Sequence, residues 1–127
     1  MDLAVVIDTN VFIEYFRSKD KERTLLAKLR RQHRILCVSA VAKYEVLSGA
    51  KDEHMEEWRK FFEKITVLAF EEATIYIARM IYRQLKCESK LVDIGDILIA
   101  ATAMANDLPL ATLNRSHFER IRGLRLA

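Results

Sequence analysis

The chain has 127 residues, 51% hydrophobic and 31% charged, with only three glycines and one proline, which points to one compact α/β unit with a real core and excludes disordered or low-complexity classes. Twenty-one Lys and Arg against eighteen Asp and Glu leave a net charge of +3, a balance that accepts a polyanionic partner without demanding one. No apolar run approaches the roughly 20 residues of a membrane-spanning helix, and Met1-Asp2-Leu3 opens straight into a short apolar run without a basic leader, so a cytoplasmic protein is expected, with residues 1–127 as a single domain.

In chain order, Leu3-Ala4-Val5-Val6-Ile7 is branched, apolar and too short for a helix, which predicts a strand. Asp8-Thr9-Asn10 follows, and Val11, Phe12, Tyr15 and Phe16 then predict a helix over 10–17. A second helix is predicted over 21–31, ahead of the apolar run Ile35-Leu36-Cys37-Val38. Ser39 is placed to cap a helix over 40–48, and a further helix is expected over 52–63. The run Ile65-Thr66-Val67-Leu68 precedes predicted helices over 71–86 and 93–106. Leu110-Ala111-Thr112-Leu113 is the fourth run, followed by a short helical turn over 116–120. Continuous rather than alternating apolar runs suit strands covered on both faces, and the intervening segments have the length of crossover helices. The expectation is a three-layer α/β/α sandwich around a short, mainly parallel central sheet.

The informative residues are acids at strand ends or helix starts. Asp8 directly follows the first strand, at the carboxyl edge where open parallel sheets bind ligands; capping the next helix explains it equally well. Glu45 lies four residues after Val41, so it shares the side that Val41 would bury, and a carboxylate there must meet a cation or reach the solvent rim. Asp96 precedes the apolar, Ala-rich stretch Ile97-Leu98-Ile99-Ala100-Ala101-Thr102-Ala103, which reads as a deeply buried helix. Asp93 and Asp96, three apart, also resemble a cap with an acid in the first turn. Taken together, all three acids fall where a parallel sheet brings them to one edge. Three carboxylates in a small cleft need neutralising, and hard oxygen donors without a His or Cys cluster favour Mg²⁺ or Mn²⁺ over Zn²⁺.

Other features read more plainly. Cys37 and Cys87 show no metal or redox spacing and are expected to be reduced thiols. His33, His54 and His117 are scattered in charged surroundings and read as surface or local structural residues. Lys28-Leu29-Arg30-Arg31-Gln32-His33-Arg34 and the tail residues Arg115, Arg120, Arg122 and Arg125 are basic; solvated faces explain each, unless a catalytic site lies between them. The segment Met55-Glu56-Glu57-Trp58-Arg59-Lys60-Phe61-Phe62 is aromatic-rich, as core or as a partner surface.

On these motifs the sequence resembles the PIN-domain ribonucleases, in particular the VapC-like toxins of toxin–antitoxin modules. Val6-Ile7-Asp8-Thr9-Asn10-Val11-Phe12, Ser39-Ala40-Val41-Ala42-Lys43-Tyr44-Glu45, Asp96-Ile97-Leu98-Ile99-Ala100-Ala101-Thr102-Ala103 and Leu110-Ala111-Thr112-Leu113-Asn114-Arg115-Ser116-His117-Phe118 match the four motifs in order. The resemblance implies that Asp8, Glu45 and Asp96 bind Mg²⁺ or Mn²⁺, with position 114 completing the quartet. Here the chain departs from many members, because Asn114 stands where an Asp is common; the charge is lost and a carbonyl oxygen remains. Thr9, Asn10, Asp93 and Thr112 fall at supporting positions. The resemblance further implies metal-dependent endoribonuclease activity leaving a 5′-phosphate and a 3′-hydroxyl, a homodimer, and a small antitoxin that covers the groove near the acids. Arg115, Lys43 and the 28–34 cluster are then candidates to guide RNA backbone. Two rivals stand beside it: a catalytically silent PIN-like interaction module, for which Asn114 speaks, and a haloacid-dehalogenase-like phosphatase, against which Asn10 speaks because a second Asp is expected there.

Overall fold

A computed structural model describes residues 2–127 of the chain. The four apolar runs form strands β1 (Ala4–Ile7), β2 (Ile35–Ser39), β3 (Thr66–Leu68) and β4 (Leu110–Ala111). They build one sheet in the order β3-β2-β1-β4, every pair parallel. Val5 faces Leu36 across one ladder, and Val6 faces Leu110 across the other. The continuous apolar character of β1 is explained by this central position: Val5, Val6 and Ile7 are fully buried. Helices flank the sheet, as expected for an α/β/α sandwich: α1 (Thr9–Arg17), α2 (Leu25–Gln32), α3 (Ala40–Gly49), α4 (Met55–Phe62), α5 (Glu72–Cys87), α6 (Ile94–Ala105) and the single turn α7 (Arg115–Phe118).

Two predicted helices are interrupted. The segment 21–31 divides into a 3₁₀ turn at Lys21–Arg23 and α2, because buried Thr24 takes extended geometry between them. Its hydroxyl donates to the Lys21 carbonyl and accepts from the Ala27 N–H, ending one turn and capping the next. Likewise 52–63 begins as a 3₁₀ turn, Asp52–His54, before α4. Strand β3 also departs from expectation. It is an edge strand, and Thr66 and Val67 are exposed rather than covered. The opposite edge is closed by the tail, where Leu110 N–H donates to the Arg125 carbonyl and Ala127 N–H donates to the Leu110 carbonyl.

The aromatic segment of α4 belongs mainly to the core. Trp58 and Phe62 are buried, stack on each other at 5.7 Å and pack with Phe12, Phe16 and Phe61. Helix α6 lies deepest, with Ile97, Ile99, Ala100, Ala101, Thr102 and Ala103 buried; its alanines let the backbone approach neighbouring elements closely. In α3 the buried positions are Ala42 and Val46. Val41 and Glu45 share the flank beside that stripe, half-buried, which leaves Glu45 at the rim of the core rather than inside it.

Helix α3 starts from fully buried Ser39, whose hydroxyl accepts from the Ala42 N–H at 3.0 Å. Ser39→Ala removes that cap and leaves a buried donor unpaired, so urea unfolding is expected to show a loss of about 1–2 kcal/mol. A loss within a few tenths of a kcal/mol, roughly surface-substitution size, would show that the cap does not hold α3.

Candidate functional site

The chain runs outward from β1 through β2 to β3 and then returns to the other side of β1 as β4. Strand order therefore reverses between β1 and β4, and the crevice at their carboxyl ends is where an open parallel sheet receives a ligand. Asp8 is the first residue beyond β1, and its N–H donates to the Ala111 carbonyl of β4 at 2.9 Å. Asp8 as a whole residue is only 4% exposed. Oδ1 accepts from Thr9 N–H and Oδ2 accepts from the Thr112 hydroxyl, both at 2.8 Å. Asp8 is thus both the N-cap of α1 and a buried acid at the crevice, so the two readings of this residue hold together.

A circuit of contacts leads from Asp8 to the other acids. Thr9 Oγ1 donates to Glu45 Oε1 at 2.6 Å, tying α1 to α3. Glu45 Oε2 occupies the space above Gly95, where a Cβ would stand 2.5 Å from it. The missing side chain at Gly95 thereby lets Glu45 reach the first turn of α6, which carries Asp96. Asp96 Oδ2 lies 3.7 Å from His117 Nδ1, and that nitrogen is 2.8 Å from Asn114 Nδ2. Asn114 N–H donates to Thr112 Oγ1 at 2.9 Å, which closes the circuit at Asp8. Asn10 stands beside it, its Oδ1 accepting from Leu113 N–H at 3.2 Å.

The residues singled out from sequence therefore lie in one neighbourhood, contributed by five elements. Asp8, Glu45, Asp96 and Asn114 form the circuit, and Thr9, Asn10 and Thr112 brace it. The acids are joined through these polar neighbours; among the described residues no three Asp, Glu, His or Cys side chains stand as a ready-made metal cage. Asp93 is exposed at the N-cap position of α6, and its carboxylate makes no capping hydrogen bond. Its influence is electrostatic, since its charge helps raise the pKa of Asp96. His117, read from sequence as a surface or local structural residue, belongs to the circuit. The only pointer to it was its position three residues after Asn114, within one helical turn.

The electrostatics are those of crowded acids. Burial pushes the Asp8 carboxyl up from 3.8 to about 6, against the Thr112 and Thr9 hydrogen bonds that lower it, with the charges of Asp96 and Glu45 adding to the rise. Asp96 is raised as well, first by desolvation and then by Asp93 and Glu45, with His117 opposing. Carboxylate and carbonyl oxygens that destabilise one another in a half-dry crevice suit a hard divalent cation, and Asp8, Glu45, Asp96 and Asn114 supply that donor chemistry.

The basic residues lie elsewhere. The 28–34 cluster spans the end of α2 and the approach to β2, at the edge where strands enter rather than leave the sheet, opposite the acids. Among the tail residues, Arg122 pairs with Glu88, and Arg125 pairs with Asp2 and Asp107. Arg115 donates to the Ala127 carbonyl at 2.8 Å and Arg120 to the Lys90 carbonyl. The two clusters do not flank the site, and the tail arginines hold the scaffold. A cleft of about 420 Å³, lined by Tyr15, Phe16, Lys21, Glu57, Trp58 and Phe61, leaves part of the aromatic cluster open.

Comparison with known proteins agrees with this fold. A PIN domain family model matches residues 5–124. Ribonuclease VapC1 of Methanocaldococcus jannaschii is 30% identical over 119 residues, covering 93% of this chain and 81% of that protein. The tRNA(fMet)-specific endonuclease VapC of Shigella flexneri is 29% identical over 128 residues, covering 97% and 96%. Among solved structures, VapBC-1 from nontypeable Haemophilus influenzae superposes with a TM-score of 0.86 at 21% identity, covering 98% of this chain and 96% of that one. DNA-bound VapBC from Salmonella typhimurium gives 0.83 at 25% identity, covering 99% and 98%.

Two outcomes follow from the geometry. Because the folded-state pKa of Asp8 is raised, its contribution to stability is fully present below about 3.8 and lost as pH rises through about 6. With divalent ions chelated, Asp8→Asn should therefore gain on the parent as pH climbs across that window, by on the order of 3 kcal/mol at the plateau. A pH-independent difference between the two proteins in urea melts would contradict the burial of this charge. Gly95→Ala should leave stability unchanged or raise it by up to about 1 kcal/mol through helix propensity, because the flexible end of Glu45 can move aside. Divalent-ion affinity should nonetheless fall, and calorimetric titration showing unaltered affinity would place Glu45 outside the ion's reach.

Proposed function

The chain belongs to the PIN-domain family, and on that footing we propose that it is a metal-dependent endoribonuclease, the toxin of a toxin–antitoxin pair, acting in the cytoplasm as one nuclease domain. The observation that carries this reading is the meeting of Asp8, Glu45 and Asp96 at the β1/β4 switch point, linked through Thr9, Gly95 and His117. The ribonuclease names of the relatives, at 29–30% identity over nearly the whole chain, support the reaction class.

In this reading Asp8, Glu45 and Asp96 hold Mg²⁺ or Mn²⁺, and Asn114 completes the set through its carbonyl oxygen. The bound cation supplies a Lewis acid for a phosphoryl oxygen and lowers the pKa of an attacking water. The protein's own part is positioning. Thr9 fixes one oxygen of Glu45, leaving the other to accept a hydrogen bond from the water and aim it. Thr112 and the Thr9 N–H fix both oxygens of Asp8, so this carboxylate needs no reorganisation during the reaction. Cleavage leaves a 5′-phosphate and a 3′-hydroxyl, and no side-chain nucleophile takes part. Lys43 on α3 steadies the RNA backbone, a contribution that weakens with salt. The protein pairs as a homodimer, and a small antitoxin covers the groove near the acids, with the aromatic cleft around Trp58 and Phe61 open to a dimer or antitoxin contact; the superposable VapBC complexes support such a partner.

The direct check is cleavage of labelled transfer, ribosomal and messenger RNAs with Mg²⁺ or Mn²⁺. Asp8→Asn and Asp96→Asn are each expected to lower the rate roughly a hundredfold or more, the scale of losing several kcal/mol of charge stabilisation. Either ion should also stabilise the parent by about 2.7 kcal/mol at a hundred times its Kd, and neither variant should respond. A parent protein that cuts none of these RNAs and melts identically with and without both ions would be an interaction module instead.

A further inference from the structure

Among the site residues, Asn114 is the one whose two ends differ chemically. A carboxylate presents oxygen whichever way it turns, whereas a carboxamide presents a carbonyl oxygen on one side and two N–H donors on the other. Turned toward the acids, the amino end would bond to them and repel a cation; the carbonyl end would do the reverse. A residue that decides between these faces stands one helical turn away. Asn114 Nδ2 is 2.8 Å from His117 Nδ1, and an imidazole nitrogen with a free lone pair accepts that N–H. The amide's donor side is then occupied, and Oδ1 is the atom turned away from the imidazole.

The backbone holds this arrangement from the other side. Asn114 N–H donates to Thr112 Oγ1 at 2.9 Å, and the same hydroxyl gives its only hydrogen to Asp8 Oδ2. The backbone of residue 114 is thereby tied to the hydroxyl that donates to Asp8. His117 Nδ1 also lies 3.7 Å from Asp96 Oδ2, beyond hydrogen-bond reach, so in the neutral ring protonated at Nε2 this nitrogen is left to accept from the amide. Its side chain remains 42% exposed, and core packing does not account for its place. We infer that His117 is a positioning residue for Asn114: by accepting the amide N–H, it selects the carbonyl oxygen as the face offered to a cation held by Asp8, Glu45 and Asp96. The inference rests on the metal-site reading proposed above.

The test is a double-substitution cycle read by calorimetric titration of Mn²⁺ into the full chain without RNA. His117→Leu, which removes the acceptor, should weaken Mn²⁺ binding about tenfold or more, the usual effect of removing a group that orients a ligand. His117→Gln restores a side-chain acceptor and should recover affinity to within about threefold of the parent. With Asn114→Asp the orientation problem disappears, because both ends are oxygen, so adding His117→Leu there should change affinity less than about twofold. Without metal, each His117 variant should melt with its own background, the Asn114→Asp background lying lower because it adds a carboxylate to the crevice, and His117→Ala repeats the comparison should leucine disturb α7. Undiminished affinity in His117→Leu, or an equal loss in both backgrounds, overturns the pairing while leaving the metal site standing. A parent chain that binds no Mn²⁺ overturns both.

Discussion

An aspartate with 4% exposure at the end of the central strand is the constraint around which this protein is arranged. Removing a charge from water is expensive, and the chain answers with backbone and hydroxyl donors rather than a basic side chain. Thr9 N–H is available because α1 begins immediately after β1, and the Thr112 hydroxyl is available because β4 returns to pair with β1. The two donors lower the pKa of Asp8 less than burial and its neighbours raise it. A charge left under-compensated by the fold is one that a cation can stabilise, so the sheet topology and the chemistry of the site share one cause.

The distribution of positive charge makes the same point from the other direction. The net charge of +3 does not describe the crevice. Arg122 and Arg125 are committed to Glu88, Asp2 and Asp107, and Arg115 and Arg120 to backbone carbonyls. Arg30 lies over the rings of Tyr15 and Phe61, near the carboxyl end of α2, where a cation also complements the helix dipole. Cations that look like a polyanion-binding inventory in the sequence are thus distributed as braces. What remains at the strand exits is an excess of acid, where His117 is the basic group in contact with the circuit.

This division explains what was legible in advance. The strands and most helices follow from apolar runs and periodicity, which local sequence carries directly. Asp8, Glu45, Asp96 and Asn114 stand out in the sequence because their motifs are contiguous stretches, and topology then brings them together. The breaks at Thr24 and before α4 were not visible, since whether a threonine interrupts a helix depends on which carbonyl its hydroxyl reaches. The 28–34 cluster reads as a solvated face unless it flanks a site, and its place away from the acids reflects that which end of the sheet receives charge is a property of the connections. His117 was passed over because a single histidine carries no pattern. Its importance comes from two contacts, one to Asn114 nearby in sequence and one to Asp96 far from it.

The small residues of α6 complete the physical account. Ala100, Ala101 and Ala103 are fully buried, which lets this helix sit deep in the core, and Gly95 at its start leaves room for the Glu45 carboxylate. Deep seating brings Asp96 to the crevice edge as part of a rigid element rather than on a mobile loop. The same holds for Asp8 and Glu45, which follow buried β1 and buried Ser39 within one turn or two. Each acid therefore inherits its backbone position from core packing. Asn114 is the exception: it lies between a two-residue strand and a four-residue helix. Lacking a deep element of its own, it is held by polar contacts, its N–H donating to Thr112 Oγ1 and its Nδ2 lying 2.8 Å from His117 Nδ1.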